Sequence, residues 1–308
     1  MPGQGWQGQR WAIEWSWLRY GWKKWQEYQR ERWRRMGLDR LSVLHCYARQ
    51  IGYPFKDRYG FSQWLVPYPH DSLPIICFNA LELDFPHTPH PSMHYVGPMV
   101  YENRQELMVD PSAEEALERL FAVSRLEGRS LIYCGCSTFV KGNKAFLQRL
   151  VDAVSSHSQW DLVLALGGQF NLDQLGTLPP NVYAFNWVCQ LHVLKHADCA
   201  INNGGINSIN ECIYFGVPML VYSLNRFDQN GNAARINYHQ LGIIGNIFKD
   251  KAPQIQEHIQ ALLKNPSYKI QMNQMKNLCH QYTQNNQASQ VVETILKDSS
   301  LEHITIIK

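Results

Sequence analysis

Apolar and polar positions alternate along most of this chain in two rhythms. Short apolar runs at Ser130–Cys134, Asp161–Leu166, Asn181–Phe185, Ala197–Ile201 and Pro218–Tyr222 are bounded by polar or glycine residues and read as strands. Between them lie stretches of helical period. Lys144–Ser155 sets Phe146, Leu147, Leu150, Val151 and Val154 on one face, and Ile206–Phe215 is opened by Gly204-Gly205. The pattern predicts further helices over Gln229–Gln240, Ile255–Leu263 and Gln271–Leu296. Strand and helix alternating with short connections imply an α/β domain over residues 99–308, with a Rossmann-like parallel sheet and helices on both faces. Ligands of such sheets bind outside the carboxyl ends of the strands.

The first 98 residues follow another pattern. Trp11, Trp15, Leu18, Trp22 and Trp25 recur at spacings of four, three, four and three, which is one face of a helix. Arg19, Lys23, Lys24, Arg30, Arg32, Arg34 and Arg35 lie on or near its edges. Three readings fit: a helix packed on the fold by its Trp face, a helix lying on a membrane surface through residues 11–35, or a nucleic-acid arm. From Gly52 to Pro98 the chain is rich in proline and ends in Gly97-Pro98, which reads as a domain edge and a linker. His87, His90 and His94 sit in this Pro-rich stretch and are not expected to hold a metal.

Charge and cysteine content narrow the function classes. The net charge is +3 over 308 residues, too small to argue for a nucleic-acid partner, and none is expected. The charge is skewed, however. Residues 1–40 hold nine Lys/Arg against four Asp/Glu, while the remainder holds twenty against twenty-two, and seven of the ten Trp lie within the first 33 residues. The eight cysteines form no CxxC pair and sit mostly in apolar runs, so neither a disulfide framework nor a metal site at Cys134/Cys136 is expected. No apolar core of a signal peptide and no run of 18 apolar residues is present. A cytoplasmic protein is expected, with peripheral contact at the inner membrane face if the Trp helix serves as an anchor.

Candidate chemistry concentrates between Trp187 and Asn232. A strand ends at Ile201, two polar residues and two glycines follow, and a helix starts. Gly204 and Gly205 allow close backbone approach to a ligand and leave helix N-terminal N–H groups free, while Asn207 and Ser208 add side-chain donors: an anion site suited to phosphate. Glu211, one turn further on, suits hydrogen bonds from ribose hydroxyls. Asp228-Gln229 opens the next helix at the same rim and suits sugar hydroxyls. Trp187 and Gln190 follow another strand and suit stacking on, and bonding to, a base.

These residues bring out a resemblance. Trp187, Gln190, His196, Gly205, Asn207, Ser208, Glu211, Gly216-Val217-Pro218, Asp228-Gln229 and Asn232 stand at the spacing of the nucleotide-sugar signature of the UDP-dependent glycosyltransferases with the GT-B fold, in the bacterial natural-product and plant secondary-metabolite branch. The resemblance covers roughly residues 65–300 and is strongest from 182 to 240. It implies a donor half of a GT-B fold preceded by a partial helical and α/β remnant of the acceptor domain in residues 1–98. It further implies transfer of a hexose from a UDP-sugar to a hydroxyl of a small or lipid acceptor, with inversion, and with no cofactor or metal. By resemblance Trp187 stacks on uracil, Gln190 lies near base or ribose, and Asn203, Gly204, Gly205, Asn207 and Ser208 hold the pyrophosphate. Thr138, after the first strand of this half, also touches phosphate, Glu211 takes the ribose, and Asp228 and Gln229 take the sugar. Two departures stand out. Asn203 replaces the family's His, and no match for the family's catalytic base is found; His45 falls mid-helix. The alternative expectation is a non-catalytic nucleotide-sugar-binding module, either a truncated enzyme or one half of a split enzyme whose partner chain supplies the acceptor domain.

Overall fold

Two helices open the chain, α1 (Arg10–Arg34) and α2 (Arg40–Gln50), followed by two short strands, β1 (Ile75–Cys77) and β2 (Met93–Tyr95), which pair in parallel. The structure, a computed structural model, describes residues 10–53, 74–104, 111–135, 144–168, 172–224 and 228–297. It falls into two compact units: Met1–Cys77 with Phe85–Tyr95 and Val291–Lys308, and Phe78–Asp84 with Val96–Gln290.

In the first unit α1 ends where Met36 and Gly37 turn left-handed, with φ of 48° and 82°. Buried Asp39 then caps α2, its carboxylate accepting a hydrogen bond from the Ser42 N–H at 3.1 Å. The Trp face of α1 is not packed away. Trp15, Leu18, Trp22 and Trp25 are all exposed.

The second unit is built on a six-stranded sheet. Its elements are α3 (Pro111–Leu126), β3 (Ser130–Gly135), α4 (Lys144–Ser155), β4 (Trp160–Ala165), β5 (Val182–Phe185), α5 (Gln190–Leu194), β6 (Cys199–Asn202), α6 (Ile206–Phe215), β7 (Met219–Val221), α7 (Gln229–Tyr238), β8 (Gly242–Ile244), α8 (Ala252–Lys264) and α9 (Pro266–Gln284). A final helix, α10 (Gln287–Lys297), follows. All six strands are parallel, in the order β5-β4-β3-β6-β7-β8. β3 pairs with β4 on one side and β6 on the other, so the order reverses there, as in the Rossmann fold.

Burial on both faces explains the apolar runs. Leu131 and Tyr133 of β3 join one core cluster with Phe121 of α3, Ile209 and Ile213 of α6 and Met272 of α9. Ile132 and Cys134, one residue out of phase, join the other with Leu147 and Leu150 of α4 and Ile255 and Ile259 of α8. Asp161 breaks the apolar run of β4: its Oδ2 accepts from the Ser124 hydroxyl at 2.5 Å and lies 3.0 Å from Arg129 Nε, while its buried Oδ1 has no hydrogen-bond partner among the described residues. The single helix expected over Gln271–Leu296 is two helices. The chain leaves α9 at Asn285 and passes through Asn286 at a φ of 49° before α10 begins. The strand β8 and the helix α3 extend the sheet and its cover beyond the predicted elements.

Candidate functional site

The loop from β6 into α6 lies beside the point where the strand order reverses. The Asn202 side-chain oxygen accepts a hydrogen bond from the Gly204 N–H at 2.8 Å and turns the chain out of the sheet. Gly204 has a φ of 80°, and a Cβ there would lie 3.0 Å from both the Gln229 carbonyl oxygen and Val221 Cγ1. Conformation and space therefore both require glycine. Gly205 differs. It caps α6 with an ordinary φ of −68°, makes no side-chain cap bond, and a Cβ there would meet nothing within 4 Å. The fold does not need glycine at this position.

The first helical bond of α6 runs from the Ile209 N–H to the Gly205 carbonyl at 3.1 Å. The N–H groups of Ile206, Asn207 and Ser208 precede it and face outward at the positive end of the helix dipole. The far end is neutralised by cations. Lys269 Nζ donates to the Gly216 carbonyl at 2.9 Å, and Lys276 Nζ reaches the Phe215 carbonyl at 3.5 Å. Burial pushes the Lys269 ammonium below its usual pKa.

Glu211 is buried at the centre of a side-chain chain drawn from four segments. The Tyr133 hydroxyl of β3 donates to Gln190 Oε1 at 3.1 Å, and Gln190 Nε2 donates to Glu211 Oε2. From the other side Arg104 Nη1 donates to Glu211 Oε1 at 2.5 Å. Each carboxylate oxygen thus has one protein partner and keeps further acceptor capacity. Arg104 is the residue sequence reasoning missed. Its only signal was indirect, since a carboxylate on the buried side of a helix, between Asn210 and Cys212, calls for a cation.

The other expected residues fall on the same edge. Trp187, half-buried after β5, packs its indole against Gly168 at the end of β4, 3.3 Å from where a Cβ would sit. Asp228 is exposed and accepts from Asn232 Nδ2 at 2.6 Å, and the same amide donates to the Gly204 carbonyl at 2.9 Å. Gln229 is buried, and its side-chain oxygen accepts from the Leu224 N–H at 3.0 Å. The 228–232 segment therefore braces the glycine loop. Asn203 and Ser208 are half-buried and Asn207 is exposed. Thr138 lies outside the described residues. His196 stacks on Phe121 at 4.2 Å, and burial lowers its pKa below 6.5, with neighbouring His192 adding to the effect. Among the described residues no group of His, Cys, Asp or Glu is placed to hold a metal ion.

Residues 148–295 match the family model described as the C-terminal domain of erythromycin biosynthesis protein CIII-like proteins. The uncharacterized UDP-glucosyltransferase YdhE of Bacillus subtilis is 29% identical over 163 residues, covering 53% of this chain and 41% of that protein. UDP-glucuronosyltransferase 3A1 of Xenopus laevis is 29% identical over 238 residues, covering 72% of this chain and 42% of that protein. Over these stretches the chain is similar to UDP-dependent glycosyltransferases. Its fold is that of the GT-B glycosyltransferases. The calicheamicin glycosyltransferase CalG4 superposes with a TM-score of 0.62 at 20% identity, covering 88% of this chain and 65% of that one. The kitacinnamycin glycotransferase gives the same score and identity, covering 89% and 67%. Against the two sequence relatives, this glycosyltransferase-related chain spans about two fifths of their length.

Proposed function

We propose that this chain binds a UDP-sugar at the carboxyl edge of its sheet and serves the transfer of the hexose to a hydroxyl of a small or lipid-like acceptor. The observation that carries the reading is Gly205, a glycine that neither φ nor packing requires, standing beside free helix N–H groups at the reversal of strand order. A ligand lying against the backbone accounts for it. In this reading the α6 N-terminus, with Asn203, Asn207 and Ser208, takes the diphosphate. Glu211 uses its remaining acceptor capacity on the ribose hydroxyls, and Trp187 with Gln190 meets the uracil. Exposed Asp228 faces the sugar, and buried Gln229, bonded by its side-chain oxygen to the Leu224 N–H, backs it. The acceptor hydroxyl gives its proton to a base outside these residues as its oxygen attacks the anomeric carbon from the side opposite the diphosphate, so configuration inverts, and UDP leaves with its growing charge on the N–H groups of α6. Asn203 donates a neutral hydrogen bond where a His would add charge, which weakens that one contact by about half. Named relatives support the donor and acceptor classes: YdhE is named a UDP-glucosyltransferase, and CalG4 a calicheamicin glycosyltransferase.

Titration calorimetry with UDP, UDP-glucose and NAD tests the reading. UDP and UDP-glucose are expected to bind, and Glu211→Ala to abolish binding. Tight NAD binding without UDP binding overturns it. Release of UDP from UDP-glucose in the presence of hydroxylated acceptors then measures transfer itself.

A further inference from the structure

We propose that α1 is a docking surface for an anionic lipid bilayer. Along this helix Trp15 is 60% exposed, Leu18 66%, Trp22 62% and Trp25 44%, and Trp33 extends the line at 84%. Trp22 and Trp25 stack on each other at 5.1 Å, forming a flat indole pair. Folded chains rarely leave so continuous an apolar stripe in water unless something covers it. At 3.6 residues per turn, Arg19, Lys23, Arg30 and Arg34 form a second exposed stripe about 100° round the helix from the first. Of the acidic residues, Glu27 borders the cationic stripe on the side away from the tryptophans, and Glu31 lies beyond it, paired with Arg35 at 3.1 Å.

Charge complementarity selects the occupant. Indole rings settle at the headgroup level of a bilayer, and cations at the edge of an apolar helix face reach phosphate there. A protein partner would have to present a matching acidic row beside an apolar surface, whereas an anionic bilayer offers phosphate everywhere along the stripe. An anionic membrane pairs with both stripes at once. The charge skew agrees, because the first 40 residues are basic and the remainder is slightly acidic. No helix among the described residues is long and apolar enough to cross a membrane, so α1 lies in the interface plane.

The test uses the full chain with vesicles of phosphatidylcholine alone and of phosphatidylcholine with phosphatidylglycerol. Seven of the ten Trp fall in the first 33 residues, so intrinsic emission reports chiefly on this segment. Sedimentation with the phosphatidylglycerol vesicles and a blue-shifted emission are expected, both reversed by high salt. Arg19→Gln and Lys23→Gln should each lower partitioning about fivefold. The Trp22→Ser/Trp25→Ser variant should lose both signals while keeping the helical circular dichroism and UDP affinity of the wild type. The proposal is overturned if the chain ignores phosphatidylglycerol, if it binds neutral vesicles equally well, or if both kinds of variant bind as the wild type does. It is equally overturned if the chain self-associates through this face and the vesicles do not compete.

Discussion

Gly204 and Gly205 are neighbours whose replacement by alanine should have opposite consequences. At Gly204 a φ of 80° costs an L-residue about 1–2 kcal/mol. Its Cβ would also press on the Gln229 carbonyl and on Val221 at 3.0 Å, adding about 1–3 kcal/mol of overpacking. Gly204→Ala is therefore expected to destabilise the domain by about 2–5 kcal/mol, lowering Tm by about 5–15 °C. At Gly205 the backbone angles of −68° and 135° suit alanine, and the new methyl touches no protein atom within 4 Å. Alanine is a poorer helix cap than glycine, but it restricts the unfolded chain, and these effects nearly cancel, leaving stability within about 1 kcal/mol. UDP affinity should fall about tenfold or more, because the methyl occupies the approach to the N–H groups of α6. Calorimetry with UDP and a thermal melt on each variant separate the two outcomes. Wild-type affinity in Gly205→Ala would refute the placement of the diphosphate. Wild-type stability in Gly204→Ala would refute the steric reasoning.

Three further outcomes follow from named contacts. Asn181 donates its amide N–H groups to the carbonyls of Val154, His157 and Trp160 at 2.9–3.1 Å, so Asn181→Ala, which strands buried acceptors, should cost about 1–3 kcal/mol in urea denaturation. Burial holds the folded His196 pKa below 6.5, so the unfolded chain takes the proton first, and this part of the stability is present above that pH and is lost as pH falls through the folded value. His196→Phe, which preserves the stack on Phe121, should lose less stability between pH 7 and pH 5 than the wild type, and equal losses would refute this. Arg104→Gln should weaken UDP binding much more than uridine binding, as measured by calorimetry with both ligands.

The sheet was legible because burial on both faces makes its strands nearly continuous apolar runs. β3 to β7 were found with their ends displaced by a residue or two. β8 escaped because it is three residues long and begins at Gly242, where a side chain would strike the Met219 carbonyl, so the position carries no apolar signal. The break between α9 and α10 was written in Asn285-Asn286, a residue type that tolerates left-handed backbone, inside a run whose helical period continues on both sides. At the site, Trp187, Gln190, Glu211 and Asp228 were legible because each follows a strand. That Gln190 is oriented by Tyr133, or that Gln229 is turned inward onto Leu224, depends on side-chain geometry that spacing does not encode. Arg104 meets Glu211 across 107 residues, from a stretch with no periodicity of its own.

That missed arginine bears directly on how the site can take a diphosphate. Glu211 lies six residues beyond the Gly205 cap, about 9 Å along the helix axis. A lone carboxylate there would repel each phosphate charge by about 2 kcal/mol at the effective dielectric of a protein near its surface. Two phosphate charges would then face about 4 kcal/mol of repulsion, enough to cancel much of what the free N–H groups supply. Arg104, bonded to the carboxylate at 2.5 Å, makes the pair electrically neutral at that range while leaving Glu211 free to accept from hydroxyls. The arginine therefore decouples two demands, a carboxylate for the ribose and a positive field for the phosphates. Removing it restores the repulsion for UDP and leaves uridine, which carries no phosphate, nearly untouched. Equal weakening of both ligands would instead mean that Arg104 serves only to hold Glu211 in place.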